Sequence, residues 1–380
     1  MTGGGPAVRG TVAAGFEPVR EAFAANLGDR GDGGCALAAV RDGRMVVDLW
    51  GGSADGAGRD WQEGTSAVVF SGSKGVVATL LLLLVDRGLL DPGARVGDAW
   101  PEFATAGKDG VTLAMLFAHA GGVPGVAEQL TVDDLADPPR IARALAAQAP
   151  LVDPGTPSYH AITYGWLAAE VVRRLDGRSV GRLLADELAG PLGLDVAIGL
   201  GPGHPLASRR ATLRPAPDYR LSAFLEGEPD PRLDLVYGNP PLGIPAWNDS
   251  ALLEIEAPAV NAVATARALA AMYGGLVAET DPLVSPGSLL LAGSEASAGD
   301  DPLSGRPLRF GPTGYELQGT PSELGPPADA LGHTGTGGTS HGAWPSLRTG
   351  FSYVTADLRP ENADGRAGAL LAALHEAVAA

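Results

Sequence analysis

Only one cysteine, Cys35, occurs in the 380 residues, so no disulfide can form within the chain. It sits in an apolar run and reads as a small buried hydrophobe. Basic residues are also scarce. Lys and Arg number 27 against 44 Asp and Glu, a formal net charge of −17. That charge argues against nucleic acid or an anionic membrane surface as a partner. The apolar stretch Val76 to Val85 falls well short of the ~20 residues a bilayer span needs, and Lys74 and Asp86 flank it. Met1 to Gly15 lacks the charged start and continuous apolar core of a secretory signal. A soluble, cytoplasmic protein is the expectation. No glycine-rich phosphate loop follows a strand pattern, and no Cys/His cluster has metal-ligand spacing, so neither a metal nor an organic cofactor is implied.

What the chain has is ample core material, 45% hydrophobic, punctuated by 55 glycines and 31 prolines. Apolar segments alternate with these breakers throughout, which implies many turns rather than disorder. Residues 1–10 read as a flexible start. Phe16, Val19, Phe23 and Leu27 mark an amphipathic helix. Cys35–Val40 and Met45–Trp50 flank Arg41-Asp42-Gly43-Arg44 as a hairpin. After the short strand-like Ala67–Phe70 the pattern turns helical, first to about Gly88. A helix beginning near Val111 has Thr112 as its cap, and further helices are expected over Val132–Ala149 and Thr163–Leu175. Asn261 is expected to cap a helix over Ala262–Tyr273. Strand patterns return at Leu308–Phe310, Tyr315–Leu317 and Gly350–Val354, before a closing helix from about Gly365 to Ala379.

The expected fold is therefore α+β. An antiparallel sheet of about five strands, flanked by terminal helices, is built from residues 1–74 and 246–380. A mainly helical lobe is inserted at 75–245. Within it, the Pro-rich stretch 201–245 has little periodicity and reads as a lid or binding wall.

The chemistry centres on Phe70-Ser71-Gly72-Ser73-Lys74-Gly75. A serine and a lysine three apart at a helix start share one face. Ser71 would lie at the helix N-terminus, where unpaired amides and the dipole favour developing negative charge. Lys74, walled by Val76, Val77, Leu80 and Leu81, would be desolvated, which lowers its pKa and makes it a base. A serine hydroxyl needs such a base to act as a nucleophile. Tyr159 follows the turn Asp153-Pro154-Gly155-Thr156-Pro157. Beside a lysine cation its phenol would ionise more easily than usual, making it a candidate base or proton shuttle. Gly332-His333-Thr334-Gly335-Thr336-Gly337-Gly338 is small enough for a backbone to pass close to a ligand, and its amides could join that of Ser71 in an oxyanion hole. Trp166, Tyr237, Trp247 and Trp344 could wall a large pocket. His119, at the end of a helix, reads as a structural residue bonding the last carbonyls. Gly338-Thr339-Ser340-His341-Gly342 matches a nucleophile elbow, but that device needs a following helix and later acid and histidine partners. The last 40 residues offer a strand and one helix, so the match is read as a decoy.

Ser71-Gly72-Ser73-Lys74, then Tyr159, then His333-Thr334-Gly335 resemble, in this order, the three motifs of the serine β-lactamase-like superfamily. That group holds class C β-lactamases, DD-peptidases, family VIII carboxylesterases and related acyltransferases. Segments such as Leu116 to Pro124 and Glu254 to Asn261 look like its linking segments, and the likeness covers most of residues 15–380, closest to the esterase branch. The resemblance implies Ser71 as nucleophile and Lys74 as its base partner. Tyr159 would pass the proton to the leaving group, and the amides of Ser71 and Thr336 would form the oxyanion hole. His160, His333, Thr334, Gly335, Trp247 and Trp344 are expected to bind the substrate. Two departures stand out. Tyr159-His160-Ala161 replaces Tyr-Ser-Asn, losing an amide. His333-Thr334-Gly335 replaces Lys-Thr-Gly, losing a permanent cation for a substrate carboxylate. Both weaken the case for efficient β-lactam hydrolysis and fit a small-molecule ester or acyl donor without an acidic anchor, such as a neutral ester or an activated acyl group. The acyl group would pass to water or, alternatively, to an amine or alcohol acceptor.

Overall fold

The computed structural model describes residues 7–217, 219, 230–319, 323–360 and 364–380. The first two strong patterns fold as their spacing dictates. Glu17–Leu27 forms helix α1, burying Val19, Phe23 and Leu27. Strands β2 (Gly34–Arg41) and β3 (Arg44–Gly52) form a hairpin. Its turn residues Asp42 and Gly43 have φ of 48° and 72°, the pair of left-handed residues that a tight hairpin requires.

Among the described residues the sheet has nine strands rather than about five. In addition to the hairpin it contains β1 (Arg9–Val12), β4 (Ser297–Asp300), β5 (Pro307–Phe310), β6 (Glu316–Leu317), β7 (Leu331–Gly335), β8 (Thr339–Trp344) and β9 (Thr349–Thr355). The order is β1-β3-β2-β9-β8-β7-β6-β5-β4, antiparallel throughout. The expectation missed the edges because β1 and β4 are short and largely exposed, so neither carries an apolar alternation. Residues 9 and 10, expected to belong to a flexible start, are held with Thr11 and Val12 by pairing with β3. Residues 1–6 lie outside the described residues.

Both faces of the central strands are covered, so β2 is buried on both sides and its alternation sorts residues between two cores. Cys35, Leu37 and Ala39 face a core shared with Phe23, Leu27, Trp344, Phe351 and the closing helix α6 (Arg366–Ala379). Ala36, Ala38 and Val40 face the larger core. That core contains helix α2 (Gly72–Asp86), buried at every position from Gly72 to Leu84, and α5 (Ala266–Leu276). Helices α3 (Pro138–Ala147) and α4 (Thr163–Leu175) add their apolar faces to it.

Thr112 caps its helix as expected, accepting from the Met115 amide. Asn261 does not. Its side chain accepts from Ala257 N and donates to the Leu252 and Ile255 carbonyls, locking a loop, while Thr265 caps α5. Of the Pro-rich segment, residues 218 and 220–229 lie outside the described residues. Among the described residues, no helix is long and apolar enough to cross a membrane.

Candidate active site

Strand residues Ala67–Val68 deliver the chain to the site, pairing with Val263–Ala264. Phe70 then takes a φ of 44°, a conformation costly for a bulky residue and one that clusters at functional sites. α2 starts immediately after this kink. Ser71 is its half-buried N-cap residue, just ahead of a helix that is buried from Gly72 to Leu84. The two serines of the motif do different work. Ser73 is fully buried and its Oγ accepts the Ala262 amide at 2.9 Å.

Lys74 is fully buried. Its Nζ lies 3.0 Å from Ser71 Oγ and 3.1 Å from the Ala259 carbonyl oxygen. A carbonyl only accepts, so one N–H is committed to Ala259, and in a neutral amine the lone pair is left facing the serine hydroxyl. Burial pushes the Lys74 pKa well below the ordinary lysine value, with the Glu316 charge opposing. The structure therefore disposes Lys74 toward the neutral form.

Tyr159 Oη lies 3.0 Å from the same Ser71 oxygen. Its ionisation runs against the sequence expectation. Burial pushes the phenol well above its ordinary value, and the hydrogen bond to Ser71 opposes that only in part. The expectation relied on a lysine cation next door. In this enclosed site the amine loses its charge before it can help the phenol lose a proton.

Tyr159 is held by residues that its own neighbourhood in sequence does not reveal. Asp301 accepts from the Tyr159 amide at 3.2 Å and from Ser158 Oγ at 3.0 Å. The tyrosine ring lies 4.8 Å from that of His119 and 6.1 Å from Phe310. His119 is structural, but not by bonding helix-end carbonyls: its Nδ1 accepts the His160 amide at 2.9 Å.

Gly335 explains how the distant strand β7 meets α2. A Cβ there would strike Val69 O and Thr339 Oγ1 and lie 3.4 Å from Gly72 N. Only glycine permits this approach, which brings the turn carrying Thr336 alongside Ser71. Among the described residues, neither the Ser71 nor the Thr336 amide is spent on a protein acceptor.

Ser71 opens into a cavity of about 940 Å³. Ile162, Tyr237, Leu242, Ile244 and Trp247 give part of its wall an apolar surface, and Glu316, Gln318, Glu323, His333 and Thr334 give another part a polar one. Thus Ser71, Tyr159, Trp247, His333, Thr334, Gly335 and Thr336 come together around one space, with Lys74 directly behind Ser71. Three sequence candidates do not line it. Trp344 is fully buried against the terminal helices, donating its indole N–H to Leu324 O. Trp166 is buried in the larger core. His160 is buried beneath the site, its Nδ1–H directed at Ser158 O and its Nε2 accepting from Val123 N. Large aromatics looked like pocket walls because composition does not say which side of a helix or sheet is hollow. The elbow-like Ser340 sits within β8, buried, donating to Glu323 O, and no helix follows it directly.

Ala259, Asp301, Glu316 and Glu323 were not identified individually from sequence. Ala259 contributes only a backbone atom. The three acids sit in loops or a two-residue strand, where no periodicity marks them.

The comparisons agree with this geometry. Residues 19–375 match the Beta-lactamase family. Esterase/beta-lactamase LipL of Mycobacterium tuberculosis is 34% identical over 351 residues, covering 89% of this chain and 80% of that protein. A solved family VIII carboxylesterase is 34% identical, with a TM-score of 0.90 over 98% of this chain and 100% of that one. A penicillin-binding protein homolog from Caulobacter crescentus is 33% identical, with a TM-score of 0.87 over 98% and 100% of the two chains. By sequence match and by fold, this chain belongs to the Beta-lactamase family and is a serine hydrolase.

Proposed function

We propose that the protein is a carboxylesterase working through an acyl-enzyme on Ser71. The observation that carries this reading is the placement of Ser71 Oγ, 3.0 Å from both Lys74 Nζ and Tyr159 Oη, at a half-buried point on a ligand-sized cavity. Neutral Lys74 takes the hydroxyl proton as Oγ attacks the ester carbonyl carbon. Negative charge on the carbonyl oxygen is met by the Ser71 and Thr336 amides, each worth roughly 3 kcal/mol. Tyr159, kept protonated by burial, gives its proton to the departing alkoxide and recovers one from the Lys74 ammonium. The alcohol leaves. Water then gives its proton to the same pair and attacks the acyl carbon, and the acid departs as Ser71 is reprotonated.

The cavity supports a second reading. At about 940 Å³ it can hold an acyl group and an acceptor together. An alcohol or amine would then replace water in the second half-reaction. Intact-mass measurement with a short-chain aryl ester tests the shared first step: a transient acyl adduct is expected on the wild type and none on Ser71→Ala. An adduct that persists on Ser71→Ala would end the proposal. Its decay in water, against decay with added alcohols or amines, assigns hydrolysis or transfer.

A further inference from the structure

The polar wall of the cavity is rich in hydrogen-bond acceptors. Glu316, 20% exposed, reaches the cavity from the short strand β6. Its Oε2 accepts from Thr334 N at 3.0 Å and Thr334 Oγ1 at 3.1 Å. Glu323 lies on the same wall with its Oε2 3.5 Å from Thr334 Oγ1, and burial, the Glu316 charge and a hydrogen bond to Glu316 raise its pKa to about 7. The third group is His333, 3% exposed. Its Nδ1 lies 2.7 Å from the Thr334 carbonyl oxygen, so Nδ1 carries the proton. Its Nε2 is therefore a bare lone pair, and among the described residues no group bonds to it. Burial and the nearby Lys74 hold the imidazole pKa down at about 3, so it stays neutral.

Two of the other charged groups on this wall are paired. Arg309 is taken by Glu295 at 2.8 Å and by the Gln318 carbonyl. Asp364 is bound to Arg366. Arg306 lines the wall and its field works against the rise of the Glu323 pKa. Near neutral pH the hydrogen-bonded Glu316–Glu323 pair is only partly protonated, so it keeps negative charge facing the Arg306 guanidinium. A ligand that brings positive charge to this wall is favoured by the charge the pair retains.

We propose that this wall is a cation-recognition subsite, so that the preferred esters carry an ammonium group and esters carrying a carboxylate are disfavoured. The inference rests on the carboxylesterase reading above and supplies its substrate class. It inverts the charge preference of a site with a cation at residue 333. The Glu316 charge also acts on Lys74, so the informative quantity is a ratio within one variant rather than an absolute rate.

The test compares kcat/KM for isosteric substrates on the full chain. One pair is the acetate ester of choline against that of 3,3-dimethylbutanol. A second is the aryl ester of 4-(trimethylammonio)butyrate against that of 5,5-dimethylhexanoate. The cation should be favoured at least tenfold in one pair, and this ratio should fall toward one in Glu316→Gln/Glu323→Gln. An aryl half-ester of succinate should be disfavoured against aryl butyrate, and the same double variant should narrow that gap. If neutral esters turn over with both cation ratios near one, the subsite is overturned while the esterase reading stands. A tenfold ratio that survives the double variant overturns the assignment to these carboxylates. If no ester acylates Ser71, the esterase reading itself fails, and the substrate class with it.

Discussion

At the residue scale the telling group is Lys74, because the same burial that fits it for the proposed role of base makes it a liability. Desolvation depresses its pKa in the folded chain, whereas the unfolded chain binds a proton at the ordinary lysine value. Below that value the unfolded state is protonated and the folded state is not, so the folded state is penalised. The penalty grows as pH falls, until the folded pKa is reached. Above the ordinary value it vanishes. Lys74→Met removes the titrating group and nearly conserves volume. It should abolish acylation yet raise the thermal midpoint at neutral pH, with the gain shrinking as pH approaches 10; differential scanning calorimetry across pH reads this directly. For the wild type, the rate of Ser71 acylation should fall on the acid side as Lys74 becomes protonated. That limb should lie well below the ordinary lysine pKa. A limb near pH 10 would show that the amine is not desolvated in solution.

Elements, rather than residues, decide how Tyr159 is aimed. Asp301 reaches it from the loop after β4, through the Tyr159 amide and Ser158 Oγ. Asp301→Ala should therefore lower kcat by about 10- to 100-fold with little change in KM, a loss made in the transition state rather than in binding. In a Tyr159→Phe background the same change should add little, since a positioning residue has nothing left to position. Additive losses would mean that Asp301 acts elsewhere. This contact also marks the limit of what the sequence carried. The hairpin, α1, α2 and α6 were legible because their signals are local: a turn pair at Asp42-Gly43, helical apolar spacing, and a serine one turn before a lysine. The Ser71–Lys74 pair follows from helix geometry alone. Tyr159 and Thr336 needed family likeness, being brought to Ser71 only by tertiary packing. Glu316, Glu323 and Asp301 were invisible, since their effect lies in what faces them across the sheet. Asn261 misled for the same reason: a good cap by type, it was claimed by loop carbonyls instead.

On the scale of the whole molecule, segments far apart in sequence come together at the proposed site. β9 pairs with β2 along seven residues, from Thr349↔Arg41 to Thr355↔Cys35. Arg366, buried at the start of α6, donates to the Gly337 carbonyl at 3.0 Å and pairs with Asp32 at 3.2 Å. It thereby fastens the Thr336 turn to the N-terminal part of the fold. Removing β9 and α6 would open the sheet at its middle, so a chain ending before Thr349 should fail to label with a fluorophosphonate probe although Ser71, Lys74, Tyr159 and Thr336 are all present. Labelling equal to the full chain would contradict this.

The sheet order therefore sets a schedule for synthesis. Ser71 is made well before β9, the strand that closes the sheet around it. Contacts of such long sequence separation form slowly. Between those two events a nascent chain carries the proposed nucleophile without the Thr336 turn fixed beside it. Acylation in the proposed reaction is deferred until β9 and α6 have been made, and the central strand β2 must wait, with an unpaired edge, for its partner.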